Sequence, residues 1–329
     1  MSDAALTEFL GRNGIGPADL AQLTSDASPR RYYRVSGKAI LLMQDATDPV
    51  GYAAYLRLSP HLAGLGLSAP GILATDPAHG LALIEDFGDA TYAAELTAGT
   101  DERDLYELAI DALAHLHAAP GATGTAQPPY ALDTYLDELD LFADWFAPAA
   151  GMAEAAAFKV EWRGLWREAL RDVAARRDAL VLKDFHVDNL MLLRDRTGVA
   201  RCGLLDFQDA LLGPREYDLV SLLQDARRDL SLGLEEEMLE RYIARSGAGT
   251  GTRQRYHLLG AQRHARIMGV FVRLAQRDSK PRYLSFLPRV ARQFETALEA
   301  AGLTGIRDCL DRHLPSWRAG AERLAERGL

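Results

Sequence analysis

The 329-residue sequence is poor in cysteine: only Cys202 and Cys309 occur, far apart and in no metal-ligand spacing. That scarcity excludes a disulfide framework and a cysteine-based zinc site, and it suits a reducing compartment. No apolar run approaches the roughly 18 to 20 residues of a membrane span. Residues 1–5 carry neither the basic segment and apolar core of a secretory leader nor an arginine-rich transit pattern, so a cytoplasmic protein is expected. Positive charge is in deficit, with 37 Lys and Arg against 46 Asp and Glu and a formal net charge of -9. That balance speaks against nucleic acid or an anionic membrane as partner, though a local basic site could still hold one nucleotide. Internal repeats are absent, and the Ala-rich stretch at 153–157 reflects helix propensity rather than low complexity.

What is present is an ordinary globular composition, 48% hydrophobic and 25% charged, in a chain long enough for two lobes of unequal size. Two short helical patterns, 4–10 and 17–20, precede strands at 32–36 and 39–44, joined by the two-residue turn Gly37-Lys38. An amphipathic helix at 50–65 follows, then strands at 71–74 and 81–84 around the turn 76–80. Asp101 is a suitable N-cap for a helix running to 118, which Pro120-Gly121 stops, and 120–129 reads as a loop. Beyond it, helices are predicted at 131–146, 153–176, 217–229, 234–245, 252–276, 284–301 and 316–326. The composition shifts at Glu85-Asp86-Phe87-Gly88-Asp89, which predicts an α+β protein with a strand-rich lobe 1–86 and a mainly helical lobe 87–329.

The residues that carry chemistry are Leu182-Lys183-Asp184-Phe185-His186-Val187-Asp188-Asn189 and, after the turn 195–198, Gly203-Leu204-Leu205-Asp206-Phe207-Gln208. Phosphoryl transfer asks a protein mainly for positioning and charge stabilisation. It needs a carboxylate beside the attacking hydroxyl and a few oxygen ligands for Mg²⁺. Asp184, closing the apolar run 179–182, is placed to accept or orient the substrate proton. Asn189 and Asp206, the second at the end of a neighbouring strand, are placed as metal ligands. ATP and Mg²⁺ are therefore the expected cofactors. His115 and His117, two apart on a helix, diverge by about 200° and cannot form a one-face metal pair.

Asp184 to Asn189, with a histidine two residues after the aspartate, resembles the catalytic loop of the aminoglycoside phosphotransferase family, which shares the protein-kinase-like fold. The continuation Asp206-Phe207-Gln208-Asp209-Ala210, Gly213-Pro214 and Tyr217-Asp218-Leu219, together with 113–117, resembles that family as well, over residues of about 22–300 in all. The resemblance implies a small antiparallel-sheet lobe, a larger helical lobe, and a structural role for Asp218. Further segments are similar to the bacterial anomeric kinases of cell-wall recycling: Asp26-Ala27-Ser28-Pro29-Arg30-Arg31-Tyr32-Tyr33-Arg34, Met43-Gln44-Asp45-Ala46 and 261–274. Those enzymes phosphorylate N-acetylmuramate and N-acetylglucosamine at the C1 hydroxyl. The resemblance thus implies a monomeric cytoplasmic kinase with a small amino sugar as its partner.

The sequence departs from the family pattern in two places. Leu182-Lys183 stands where a His-Gly pair is usual, and Lys183 could neutralise developing phosphate charge. More seriously, Met43 occupies the strand position of the phosphate-binding lysine or arginine, and the helix at 50–65 has no glutamate to pair with such a cation. The loop and strand at 25–34 are then left to meet the phosphates, through the Ser25 and Ser28 hydroxyls and through Arg31 or Arg34, with Arg31 ranked first. Glu85, Asp86 and Phe87 would offer backbone groups to adenine if they form the hinge between lobes.

For the sugar, the candidates are Asp184, His186, Asp209, Arg215, Gln224, Arg228, Arg263 and Arg266. His186 would orient the loop or touch substrate, and the arginines could equally belong to a solvated helix face. An anionic lactyl carboxylate would need at least one of them. Two other functions fit the same residues: an antibiotic kinase, which would want an acidic pocket, and a pseudokinase-like binding module, suggested by the missing lysine.

Overall fold

A computed structural model of the chain describes residues 3–23 and 30–327. In chain order it runs α1 (Asp3–Arg12), β1 (Leu20–Gln22), β2 (Arg31–Val35), β3 (Ile40–Gln44), α2 (Pro49–Gly64), β4 (Ile72–Asp76), β5 (Leu81–Glu85), α3 (Tyr92–Thr97) and α4 (Glu102–Ala118). Next come α5 (Leu132–Leu141), a short α6 (Ala147–Ala149), α7 (Ala155–Leu170), β6 (Ala179–Val181), β7 (Leu190–Leu192), β8 (Cys202–Leu204) and β9 (Leu211–Gly213). The chain closes with α8 (Glu216–Leu223), α9 (Leu234–Ser246), α10 (Thr252–Gln276), α11 (Leu287–Ala300), α12 (Thr304–His313) and α13 (Trp317–Arg327).

The first five strands form one antiparallel sheet in the order β1-β2-β3-β5-β4. Because strand side chains alternate between faces, Leu42 and Met43 part company. Leu42 joins Phe9, Leu10, Ile15, Val35, Leu81 and Leu83 in a cluster under α1, with Tyr33 packed against it. Met43, opposite Tyr32 on β2 and Ala82 on β5, is also buried. The connection between β2 and β3 is longer than the two-residue turn expected: the strands end at Val35 and resume at Ile40, and Gly37 takes the left-handed φ of 71°. Asp48 caps α2 by accepting from the Gly51 amide at 2.9 Å, and Asp101 caps α4 from Asp104 at 3.1 Å, so the expected start of α4 holds.

Contacts divide the chain into two compact units: residues up to Gln127 with Leu182–Ala210, and Pro128–Val181 with Leu211 onward. The grouping differs from lobes drawn at 86/87. The reason is that the ribbon β7-β8 joins the first unit, where Gly203 bridges Ser68 and the Leu204 amide donates to the Ser68 carbonyl at 2.7 Å. In the second unit the ribbon β6-β9 and helices α5 to α13 build their own core around Trp162, Trp166, Phe294 and Trp317.

Several expected helices are shorter than their sequence patterns. The one read at 217–229 ends at Leu223, because Gln224 leaves helical geometry and its side chain is held by Glu235 and His264. The one read at 284–301 begins as a 3-10 turn, Pro281–Phe286, and becomes α-helical at Leu287. Strand β9 and helices α3 and α12 come in addition to the pattern; three and six residues are too short for periodicity to register, and Gly302 just before α12 and Gly305 in its first turn interrupt the helical signal there.

Candidate active site

The loop between β6 and β7 is closed by its own hydrogen bonds. The Asp184 amide donates to Leu182 O at 3.0 Å, the His186 amide to Asp184 O at 3.1 Å, and the Asn189 amide to His186 O at 2.9 Å. The Asn189 side chain donates through Nδ2 to Asp184 O at 3.0 Å. With the amide nitrogen so engaged, Oδ1 is the atom of this side chain suited to a metal. His186 is buried, and its Nε2 lies 3.4 Å from Asn189 Nδ2, so it stands inside the loop as a support.

Asp206 follows β8 and is tied to this loop through the Leu205 amide, which donates to Asn189 O at 2.9 Å. Gln208 Nε2 donates to Asp206 Oδ1 at 2.8 Å. Although the residue is accessible to solvent, the atoms crowded round its carboxyl desolvate it and raise its pKa, with the charges of Asp184 and Asp209 adding to the effect. Gln208 and Arg30 pull the other way. Carboxylates that destabilise one another, with an amide oxygen beside them, are the donor set a hard divalent cation satisfies, so the residues present fit Mg²⁺.

Backbone conformation marks the same two places. Only three non-glycine residues take positive φ among those described, and two are Lys183 at 71° and Asp206 at 57°. Left-handed geometry costs most side chains about 1–2 kcal/mol and is retained where surrounding structure imposes it. Lys183 therefore occupies a glycine-type conformation, which accounts for the glycine usual at that point.

The small-lobe expectations fare unevenly. Ser25 and Ser28 lie outside the described residues. Arg31 is exposed and in phase with Tyr33, on the α1 side of the sheet. Arg34 is bound to the segment after β5: Nε donates to Asp86 Oδ2 at 2.5 Å, Nη2 to Asp86 Oδ1 at 3.1 Å, and Nη1 and Nη2 to Asp89 at 3.0 and 2.9 Å. The amides of Glu85 and Asp86 go to the Gly71 and Ala39 carbonyls, and the Glu85 side chain to the Gly71 amide and to Arg196. Arg196 also lies over the Phe87 ring, 4.9 Å from its centroid.

Sequence reasoning missed Arg30. Its Nε and Nη2 reach Asp45 Oδ2 at 2.7 and 2.6 Å, and both side chains are buried. Burial opposes the guanidinium's charge, but Tyr32 and Asp45 outweigh it and hold the pKa above the ordinary value. The alternation that sets Arg31 on the outer face puts Arg30 in phase with Tyr32, on the Met43 side; that was the available signal.

Among the proposed sugar residues, Asp209 is exposed beside Gln208. Arg215 binds Asp178 and the Ser246 carbonyl, at 3.1 and 3.2 Å. Gln224 is spent on Glu235 and His264, each at 2.9 Å, and Arg266 lies 3.5 Å from Glu138. Arg228 is half-buried beyond α8. Arg263 differs from these. It donates through Nη2 to Ser221 Oγ at 2.9 Å, while Nε and Nη1 are buried with no acceptor.

A family model described as "Phosphotransferase enzyme family" matches residues 19–259. The chain belongs to that family. Among the phosphotransferase's relatives is an N-acetylmuramate/N-acetylglucosamine kinase of Caulobacter vibrioides, 37% identical, with 95% of this chain and 97% of the relative covered. A kinase of the same name from Pseudomonas aeruginosa is 34% identical over 90% of this chain and 89% of its own. In three dimensions the phosphotransferase is similar to the ADP-bound aminoglycoside phosphotransferase APH(2'')-Ib, with a TM-score of 0.61 at 15% identity, covering 92% of this chain and 99% of that one. A choline/ethanolamine kinase family protein from Mesorhizobium loti gives the same TM-score at 17% identity, covering 96% and 99%. The α+β, protein-kinase-like fold expected from the sequence is the fold of this phosphotransferase, and its enzyme class is that of a kinase.

Proposed function

We propose that the enzyme transfers the γ-phosphoryl group of ATP to the C1 hydroxyl of N-acetylmuramate and N-acetylglucosamine, in the recycling of cell-wall sugars. The observation that carries this reading is the near full-length similarity to kinases named for those two sugars. Residues 1–86 would form the nucleotide lobe and 87–329 the catalytic and substrate lobe. A cytoplasmic location accords with relatives of bacterial origin and with the finding that no described helix is long and apolar enough to cross a membrane.

Asp184 takes the proton of the sugar hydroxyl as that oxygen forms its bond to the γ-phosphorus and the bond to the β-phosphate oxygen breaks, releasing ADP. Asn189 Oδ1 and the Asp206 carboxylate would hold Mg²⁺, which when bound would offset the charge of the phosphate oxygens. Gln208 and the Leu205 amide keep Asp206 and Asn189 in register. Phe87, whose neighbours' amides are already engaged, would offer its backbone to adenine.

Assaying ADP formation with both sugars and with kanamycin tests the whole reading. Wild type should phosphorylate both sugars, and Asp184→Asn should lower turnover by roughly three orders of magnitude or more. Turnover of kanamycin alone would replace the sugar reading with an antibiotic one.

A further inference from the structure

The family-type cation is missing from β3. Met43 fills the inward position there, and none of the chain's four lysines, at 38, 159, 183 and 280, lies on that strand. A triphosphate approaching Asp184 and Asp206 brings several negative charges to two carboxylates, so a fixed positive charge is required nearby.

We propose that Arg30, positioned by Asp45, is the residue that binds the nucleotide phosphates in this enzyme. Arg30 stands one residue before β2, and the register Arg31↔Gln44 brings it opposite Asp45, one residue past β3. Cation and counter-ion thus come from two strand ends flanking the Met43–Tyr32 pair. From there the contacts lead to the metal aspartate. The Arg30 guanidinium carbon lies 5.9 Å from the Tyr55 ring centroid, and Tyr55 stacks on Phe207 with centroids 5.0 Å apart and planes at 17°. Phe207 is the residue after Asp206. Arg30 also hydrogen-bonds Tyr32 and exerts its charge on Asp206.

Two physical points favour a functional pair over a structural one. A buried ion pair gains little stability over an apolar pair of the same size, because both ions lose their water. The Arg30–Asp45 geometry is also lopsided: both arginine nitrogens reach the same oxygen, Oδ2, and Oδ1 is buried without a hydrogen-bond partner. A pair serving only as a fastener would use the two parallel bonds that guanidinium and carboxylate allow. Arginine matches phosphate with the same fork, which a lysine cannot reproduce.

The inference rests on the proposed function only in taking ATP as the phosphoryl donor, so its test reads nucleotide binding apart from sugar turnover. Titration calorimetry with Mg-ATP, Mg-ADP and adenosine would be run on wild type, Arg30→Met, Arg30→Lys and Asp45→Asn, with melting curves to establish folding. Arg30→Met should weaken Mg-ATP and Mg-ADP about 10- to 100-fold and leave adenosine within about twofold. Arg30→Lys should recover part of the loss. Asp45→Asn, which keeps the charge but loosens its holder, should raise KM for ATP more than it lowers kcat. An Arg30→Met protein that melts normally and binds Mg-ATP like wild type overturns the proposal. So does an equal loss of adenosine and ATP, which marks a structural role. Should Arg30→Met fail to fold, the Lys and Asn variants decide on the same two ratios. A wild type that binds Mg-ATP but phosphorylates none of the sugars removes the sugar reading and leaves these ratios as informative as before.

Discussion

Gly203 offers the sharpest test of how strand β8 is seated. It is buried on β8, opposite Met191 on β7, and a Cβ added there would stand 2.9 Å from Met191 Cβ, 3.0 Å from Phe87 Cδ2 and 3.1 Å from Leu193 Cδ1. Leu193 can turn its methyl aside, whereas Met191 Cβ is fixed to the backbone and Phe87 lies under Arg196. Overpacking of this kind costs about 1–3 kcal/mol. Against it, replacing glycine with alanine restricts the unfolded chain and returns about 0.4–1 kcal/mol. Gly203→Ala should therefore lose about 1–2 kcal/mol and melt roughly 2–6 °C lower. Because β7 and β8 flank Asn189 and Asp206, and Phe87 is one of the groups displaced, KM for ATP should rise as well. Gly164→Ala is the control: this glycine is exposed on α7 with nothing within 4 Å, and the change should gain up to about 1 kcal/mol. Melting by circular dichroism, with and without Mg-ATP, measures both. A Gly203→Ala protein as stable as Gly164→Ala would refute the close approach on which the argument depends.

Two further predictions concern buried charge and backbone strain. His264 is fully buried against Gln224, and burial, helped by Arg263, lowers its pKa to about 3. The unfolded chain takes up that proton near pH 6.5 and the folded chain only near 3, so stability is intact above 6.5 and falls through that window by about 1.4 kcal/mol per pH unit; urea midpoints at pH 7.5, 6 and 5 should fall faster in wild type than in His264→Gln, and parallel slopes would count against it. At Lys183, whose φ is 71°, Lys183→Gly should stay within about 1 kcal/mol of wild type, while the β-branched Lys183→Val should lose about 1–2 kcal/mol more. The reverse order of melting temperatures would contradict the left-handed assignment.

The closed loop carrying Asp184 and Asn189 was legible because its six residues lie consecutively between apolar runs. Helix α4 was legible for a similar reason, since cap, periodicity and the terminating Pro120 all lie within one stretch of sequence. Arg30 was overlooked because its role depends on pairing across strands: alternation assigns residues 30 and 31 to opposite faces, but only the register sets Arg30 opposite Asp45. Gln224, just past α8, and the polar residues of α10 illustrate the converse. Gln224, Arg263 and Arg266 look alike in the sequence as helix-face groups, and only their partners, Glu235 and His264 for the first and the Ser221 hydroxyl for the second, tell them apart. Strand β9 was missed for want of length, three residues giving no period.

The Arg30–Asp45 pair also bears on how this enzyme can be controlled. In protein kinases the partner of the phosphate lysine is a glutamate on the small-lobe helix, so that helix must swing into place before the site is competent. Here α2 contributes no such residue: Asp45 belongs to the strand end, three residues ahead of the Asp48 cap. Charge and counter-charge travel with the sheet as one piece. A rotation of α2 would leave the two charges paired and would disturb only the Tyr55 ring that lies against Arg30.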